Sequence, residues 1–273
     1  MPLNSEQQFA IDFNLHEIPV AAGLPISLAI EAQLYGVSEN DLTAYKSSID
    51  EQNAATVREI ALMPEAAVFL SRFSAGQRVM FLGDSITTYR FSYAYVLRHL
   101  LEPRGVSIIN RAYSGYCSTH GVELTYTKCI EAQPDHVFIK YGVNDCKRFG
   151  APDAPLAVSQ DELTSNIRMI VRGFQRYTKA RITLLTPTQL VEPVVAADAN
   201  IRALRINWFN RDIKAYGDSI ARIAGEASEP IDWVDLRGCL GDPPDAAFFC
   251  PDGLHPNAEG EKRMLKELIR AVH

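Results

Sequence analysis

From residue 78 onward the chain alternates short apolar segments with longer amphipathic ones, and this alternation restricts the fold more than any other feature. Arg78–Gly83, Val106–Asn110, His136–Tyr141, Arg181–Thr186 and Ile231–Leu236 are short, apolar and rich in β-branched or aromatic residues, as strands are. Between them, Phe91–Glu102, Gly121–Ala132, Gln160–Tyr177 and Ile201–Ala224 repeat apolar residues at helical spacing, with Ser159 as a cap for the third. Strand, helix and strand in succession close as a right-handed crossover between parallel neighbours. Five strands joined in this way predict a parallel sheet with helices on both faces, a three-layer α/β domain. A last helix is expected from near Pro256, with Glu259 and Glu261 early and Lys266 and Arg270 late, an order that suits the helix dipole. Thr186 to Asn200, with Pro187 and Pro193, reads as a long loop at the carboxyl edge of the sheet.

The first part of the chain follows a different pattern. Residues 1–75 read as a helical extension and residues 76–273 as the main domain. Ser38 stands three before Asp41, and Leu42, Tyr45 and Ile49 follow at helical spacing; a second pattern runs through Val57, Ile60, Ala61, Val68, Phe69 and Phe73. An apolar stripe of this kind is usually core. The extension is therefore expected to pack on the main domain or on a second copy of the chain, giving a homo-oligomer.

The net charge of −6 originates in the same segment. Glu6, Asp12, Glu17, Glu31, Glu39 and Asp41 precede the first base, Lys46, and the remaining 27 acids balance 27 bases. With no basic stripe, nucleic acid is excluded as an expected partner. The apolar-leaning run from Ile18 to Ile30 is broken by Pro19, Gly23 and Pro25, is too short to span a bilayer, and has no basic residues ahead of it. No membrane insertion is expected, and a cytoplasmic location follows, with a secreted mature form as the alternative. The five cysteines, Cys117, Cys129, Cys146, Cys239 and Cys250, form an odd set without Cys-x-x-Cys spacing and read as reduced thiols. Their spacing matches no zinc pattern, and the glycines at 83 and 115 match neither a dinucleotide fingerprint nor a P-loop. No metal and no cofactor are expected.

Within the main domain, Val79-Met80-Phe81-Leu82 stops abruptly at Gly83-Asp84-Ser85. Consecutive apolar residues indicate a strand buried on both faces, so the turn falls at the carboxyl edge of the sheet, where open α/β sheets bind ligands. Taken alone, Ser85 is an ordinary helix cap. Three further stretches fall at the same edge: Asn110-Arg111-Ala112-Tyr113-Ser114-Gly115, Gly142-Val143-Asn144-Asp145, and Pro251-Asp252-Gly253-Leu254-His255-Pro256.

In this order, the four blocks resemble those of the SGNH hydrolases, or GDSL-type esterases. The matching residues are Ser85, Gly115, Asn144 and His255. The resemblance covers roughly residues 78 to 270 and implies a flavodoxin-like three-layer α/β/α fold with a five-stranded parallel sheet; the N-terminal extension stays unexplained. Ala112 departs from the pattern, since many relatives carry a further glycine in that block.

The chemistry explains the residue types. A serine hydroxyl needs a base to become a nucleophile, and histidine suits that task near neutral pH. Asp252, three residues earlier, can fix the tautomer of His255, so Ser85, Asp252 and His255 form the expected triad. The resemblance assigns the oxyanion hole to the backbone N–H groups of Ser85 and Gly115 and the side-chain amide of Asn144, while Asp84 and Asp145 are expected to organise backbone. The implied function is a serine hydrolase that cleaves carboxylic esters of small molecules through an acyl-enzyme, with short acyl groups such as acetyl esters on sugars favoured. A lysophospholipase or thioesterase of the same superfamily is the alternative within this chemistry, and a non-catalytic binding protein on the same fold the alternative outside it. Residues that bind the substrate have no signature in the sequence.

Overall fold

Every one of the five apolar segments forms a strand in the computed structural model, which describes residues 3–17, 26–227 and 230–272. Four helices come first: α1 (Ser5–Asp12), α2 (Leu28–Tyr35), α3 (Glu39–Ala61) and α4 (Pro64–Ser71). The α/β part then runs β1 (Arg78–Gly83), α5 (Ser85–Thr88), α6 (Tyr93–Leu101), β2 (Ser107–Ala112), α7 (Ser118–Leu124), β3 (His136–Lys140) and β4 (Arg148–Phe149). It continues through α8 (Gln160–Tyr177), β5 (Arg181–Leu185), α9 (Glu192–Ala197), α10 (Ala199–Ala203), β6 (Ile206–Asn207), α11 (Asn210–Glu226), β7 (Asp232–Val234) and α12 (Ala258–Ala271).

The main sheet has five strands in the order β2-β1-β3-β5-β7, all parallel. Helices α7, α8 and α11 pack together on one face, and α6 and α12 pack on the other with α3 and α4 against them. The expected three-layer α/β/α fold with N-terminal helices is the one observed. Val79, Met80, Phe81 and Leu82 are fully buried, as the helical cover on both faces requires. Phe81 lies beside Phe138 in the β1–β3 register, and their rings stack at 5.3 Å. The chain reverses its direction of winding between β1 and β3, so the carboxyl ends of those two strands flank the crevice.

Several expected boundaries are corrected. The helix expected over Ile201–Ala224 is broken: Arg205 takes a left-handed backbone (φ 54°), and Ile206 and Asn207 pair antiparallel with Phe149 and Arg148. Pairing with β4 supplies these residues with backbone partners that a continuous helix would not require, so tertiary context overrides the helical pattern. The expected loop from Thr186 to Asn200 carries α9, opened by Glu192 and Pro193. The last helix starts at Ala258, two residues beyond Pro256, because the Asn257 side chain accepts hydrogen bonds from the Glu259 and Gly260 N–H groups and acts as the cap. The apolar-leaning run from Ile18 to Ile30 lies outside the described residues as far as residue 25. Among the described residues, no helix is long and apolar enough to cross a membrane.

The N-terminal helices divide into two groups. Ile60, Ala66, Phe69 and Phe73, from α3, α4 and the segment after it, belong to the main core. Ile11, Ala32, Tyr35 and Leu42 form a small core of their own. The last turn of α1 reaches the carboxyl edge of the sheet, where the candidate site lies: the Arg90 backbone N–H donates to the Asp12 carbonyl at 2.8 Å and Ser114 Oγ to the Phe13 carbonyl at 2.9 Å.

Candidate active site

Ser85 is the first residue of α5, directly after the turn that ends β1. Asp84 shapes that turn, its Oδ1 accepting from the Ile86 N–H at 3.0 Å. His255 comes from the far end of the sheet. After β7 the chain runs back across the carboxyl edge and enters α12, which packs beside α6, and this return brings the His255 loop over β1.

The two side chains meet with Ser85 Oγ 2.9 Å from His255 Nε2. On the other side of the ring, Nδ1 lies 2.6 Å from Asp252 Oδ2. An ionised carboxylate only accepts, so Nδ1 carries the proton and the Nε2 lone pair faces the serine hydroxyl, which donates to it. Burial by itself raises the Asp252 carboxyl, but hydrogen bonds from the imidazole and from the backbone N–H groups of His255 and Leu254 together hold it below its ordinary value. The carboxylate is therefore ionised wherever the imidazole can act as a base.

The loop bearing Asp252 and His255 is braced from behind. The Val191 N–H donates to the Gly253 carbonyl at 2.9 Å, and a Cβ on Gly253 would come within 2.7 Å of Val194 Cβ. Gly253 also has φ 69°, so both its conformation and its packing against α9 call for glycine. Thr186 to Asn200 thus acts as a support for the histidine loop.

Gly115 and Asn144 approach Ser85 from the ends of β2 and β3. Gly115 has φ 82°, with open space around its Cα, so its requirement is conformational. Among the described residues, no acceptor takes a hydrogen bond from the backbone N–H of Ser85 or of Gly115. Asn144 is buried and donates one amide N–H to the Tyr116 carbonyl at 3.0 Å, which ties the β3 loop to the β2 loop and leaves its other N–H available. Asp145 fastens the same junction, accepting from the Ser118 backbone N–H at 3.0 Å and from its hydroxyl at 2.5 Å. Burial raises the Asp145 carboxyl to about 6 against the pull of those hydrogen bonds. All five residues singled out in the sequence, Ser85, Gly115, Asn144, Asp252 and His255, thus come to one edge of one sheet.

Three contributors had no sequence signal. Asn166 of α8 donates to Ser118 Oγ at 3.0 Å, a second link under the Asn144 turn. Tyr89 and Phe13 stack at 4.5 Å, and the Phe13 ring lies 4.5 Å from that of His255. Nothing in the spacing of residues so far apart could show this. The five cysteines are free, and among the described residues no cluster of three or more His, Cys, Asp or Glu side chains is arranged to hold a metal ion.

Comparison with known proteins bears on the same stretch of chain. Residues 81–263 match the GDSL-like lipase/acylhydrolase family. The GDSL esterase/lipase CPRD49 of Arabidopsis thaliana is 25% identical over 205 residues, covering 72% of this chain and 79% of the relative. The GDSL esterase/lipase WDL1 of Oryza sativa subsp. japonica is 24% identical over 198 residues, covering 70% and 75% respectively. Among solved structures, LAE5, an α/β hydrolase from the metagenome of Lake Arreo in Spain, superposes with a TM-score of 0.57 at 23% identity over 73% of this chain and 96% of its own. A variant of Axe2, an acetyl xylan esterase from Geobacillus stearothermophilus, gives a TM-score of 0.57 at 21% identity over 74% and 96%. At such identities the structural likeness speaks for the fold alone, whereas the family match spans most of the α/β part and all five residues of the site. The chain belongs to the GDSL-like lipase/acylhydrolase family, within the SGNH superfamily of ester hydrolases.

Proposed function

We propose that the protein hydrolyses carboxylic esters through a covalent acyl-enzyme, with Ser85 as nucleophile, His255 as base and acid, and Asp252 as the group that orients the imidazole. The observation that carries this reading is the continuous relay from Ser85 Oγ to His255 Nε2 at 2.9 Å and from His255 Nδ1 to Asp252 Oδ2 at 2.6 Å. As Oγ bonds to the ester carbonyl carbon, its proton passes to Nε2, and the imidazolium is stabilised by the Asp252 carboxylate. The carbonyl oxygen becomes an oxyanion and receives hydrogen bonds from the Ser85 and Gly115 N–H groups and the free N–H of Asn144. Collapse breaks the bond to the alcohol oxygen, which takes the proton from Nε2. Water then repeats the sequence on the acyl-enzyme, releasing the carboxylic acid and returning the proton to Ser85.

We favour short acyl groups, acetyl above all, carried on carbohydrate. Axe2, a neighbour in fold, is an acetyl xylan esterase, which supports this choice without deciding it. Residues 76–273 carry the proposed catalytic groups, on a core that Phe69 and Phe73 of the N-terminal segment share, and the odd set of five cysteines without Cys-x-x-Cys spacing favours a cytoplasmic setting.

Labelling with a fluorophosphonate tests the reading. Wild-type protein should label stoichiometrically and Ser85→Ala not at all; folded wild-type protein that fails to label, or labelling that survives in Ser85→Ala, removes the hydrolase assignment. A series of p-nitrophenyl esters then tests the acyl preference, with kcat/KM expected to fall from acetate to octanoate.

A further inference from the structure

The last turn of α1 is joined to the α/β part through its own carbonyls. Arg90 Nε donates to the Ile11 carbonyl at 2.9 Å, the Arg90 backbone N–H to that of Asp12 at 2.8 Å, and Ser114 Oγ to that of Phe13 at 2.9 Å. They lie at the end of the helix, where intrahelical donors run out, and residues that flank the site supply donors to them; the Ile11 carbonyl also accepts from the Asn14 N–H at 3.1 Å. Ser114 immediately precedes Gly115, and Arg90 follows Tyr89, the C-cap of the helix that Ser85 opens, so the contacts tie the end of α1 to two segments that carry site residues. Asn14 completes the junction in a left-handed conformation (φ 50°), its Nδ2 donating to the Thr88 carbonyl at 2.7 Å and to Tyr95 Oη at 3.0 Å.

This anchoring directs one face of α1 at His255. Phe9 and Phe13, four residues apart, share that face, with ring centroids 4.7 Å apart. Phe13 is 3% exposed and lies against the imidazole. Phe9 meets the same imidazole edge to face at 6.3 Å and is 45% exposed. A large aromatic side chain is thus held beside the catalytic base with much of its ring uncovered.

We infer that α1 is the leaving-group wall of the site and that Phe9 is the surface on which the alcohol half of the ester rests, favouring alcohols with a flat C–H-bearing face, such as a sugar ring. This deepens the hydrolase reading above and rests on it. To protonate the departing oxygen, His255 Nε2 must lie within about 3 Å of it. The acyl carbonyl meanwhile turns towards Gly115 and Asn144. The body of the alcohol therefore extends past the imidazole, where Phe9 lies within a ring's width. Packing an apolar ring face on the aromatic removes both from water and meets the electron-rich face of the phenyl ring with C–H groups.

The test uses the full chain and substrates that share the acetyl group and differ in alcohol, ethyl acetate and glucose pentaacetate. Phe9→Ala should lower kcat/KM for the sugar ester about five- to tenfold, mainly through KM, and leave ethyl acetate within about twofold. Phe9→Trp should keep the sugar preference. Equal losses on both substrates, or no change on either, overturn the inference, as does a change that follows acyl length when p-nitrophenyl acetate and butyrate are compared. If Phe9→Ala folds poorly, Phe9→Leu keeps the apolar bulk without the ring and gives the same discrimination between substrates. Fluorophosphonate labelling of the same preparations separates the two levels: unlabelled wild type removes the hydrolase reading, whereas normal labelling with an unaltered alcohol preference removes only the role of Phe9.

Discussion

In the proposed mechanism Asn144 has two duties, and a substitution there should reveal both. One amide N–H holds the Tyr116 carbonyl at 3.0 Å, and the other is the only side-chain donor assigned to the oxyanion. Asn144→Ala is expected to lower kcat about 10²–10³-fold, the usual cost of one oxyanion donor. Steady-state kinetics on p-nitrophenyl acetate with a folded variant would check this. Asp252→Asn should lower kcat by roughly 10³–10⁴-fold, because an amide facing Nδ1 favours the wrong tautomer. The depressed Asp252 carboxyl also has a consequence for stability. A group whose pKa is lower folded than unfolded contributes stability above its unfolded pKa of ~3.9 and loses it as the pH falls through the lower folded value. Urea unfolding of wild type and Asp252→Asn should therefore differ by a constant amount from pH 7 to about 4 and converge in stronger acid. At this scale the placement is legible: short motifs put Ser85, Gly115, Asn144, Asp252 and His255 at strand-to-loop junctions, and the structure brings Ser85, His255 and Asp252 within hydrogen-bond distance of one another. Phe9 and Phe13 are not legible, since an aromatic residue on a short helix looks the same whether it faces core or catalyst.

Among the elements, α9 shows how a segment without catalytic groups supports the site. It packs against Gly253, between the two residues that complete the relay, and leaves no space for a side chain. Gly253→Ala adds a methyl group 2.7 Å from Val194 Cβ at a left-handed position, and should destabilise the protein by ~1–3 kcal/mol. A lowered melting temperature together with slower fluorophosphonate labelling would show that the same change displaces His255. Val194→Ala in the Gly253→Ala background removes the Cγ1 contact at 2.8 Å but keeps the Cβ contact at 2.7 Å, and should restore only a small part of either. The helices were legible where local chemistry sets them: Ser159 accepts from the Glu162 N–H and opens Gln160–Tyr177 with the expected bounds. They were misread where a distant segment decides, as at Ile206 and Asn207, which pair with β4.

Considered as a whole, the molecule does not divide cleanly near residue 75. Phe69 and Phe73 are buried in the main core, and Phe73 lies 4.7 Å from the ring of His136 at the start of β3. Removing residues 1–75 would uncover that core, and the remainder is expected to bind ANS and lose cooperative unfolding, while oligomeric state is read separately from the intact chain by light scattering. His136 supplies a pH dependence of its own. Burial, with Arg181 and Arg72 nearby, lowers its pKa from 6.5 to about 4. Its contribution to stability is thus present above 6.5 and lost as the pH falls towards 4, because the unfolded chain takes up the proton first. Chemical denaturation between pH 7 and 4 should show a shallower decline for His136→Asn than for wild type.

The sequence by itself determined the layered α/β architecture, the order of the motifs along the chain and the side chains proposed for ester hydrolysis. These follow from periodicity and from functional groups that only certain side chains possess. Tertiary structure alone decided how the pieces meet: that the His255 loop returns across the sheet to Ser85, that α9 braces it, and that α1 lies beside His255. Such contacts join residues far apart in sequence, from Phe9 to His255, and depend on the shape complementarity of packed elements, which leaves no local pattern to read.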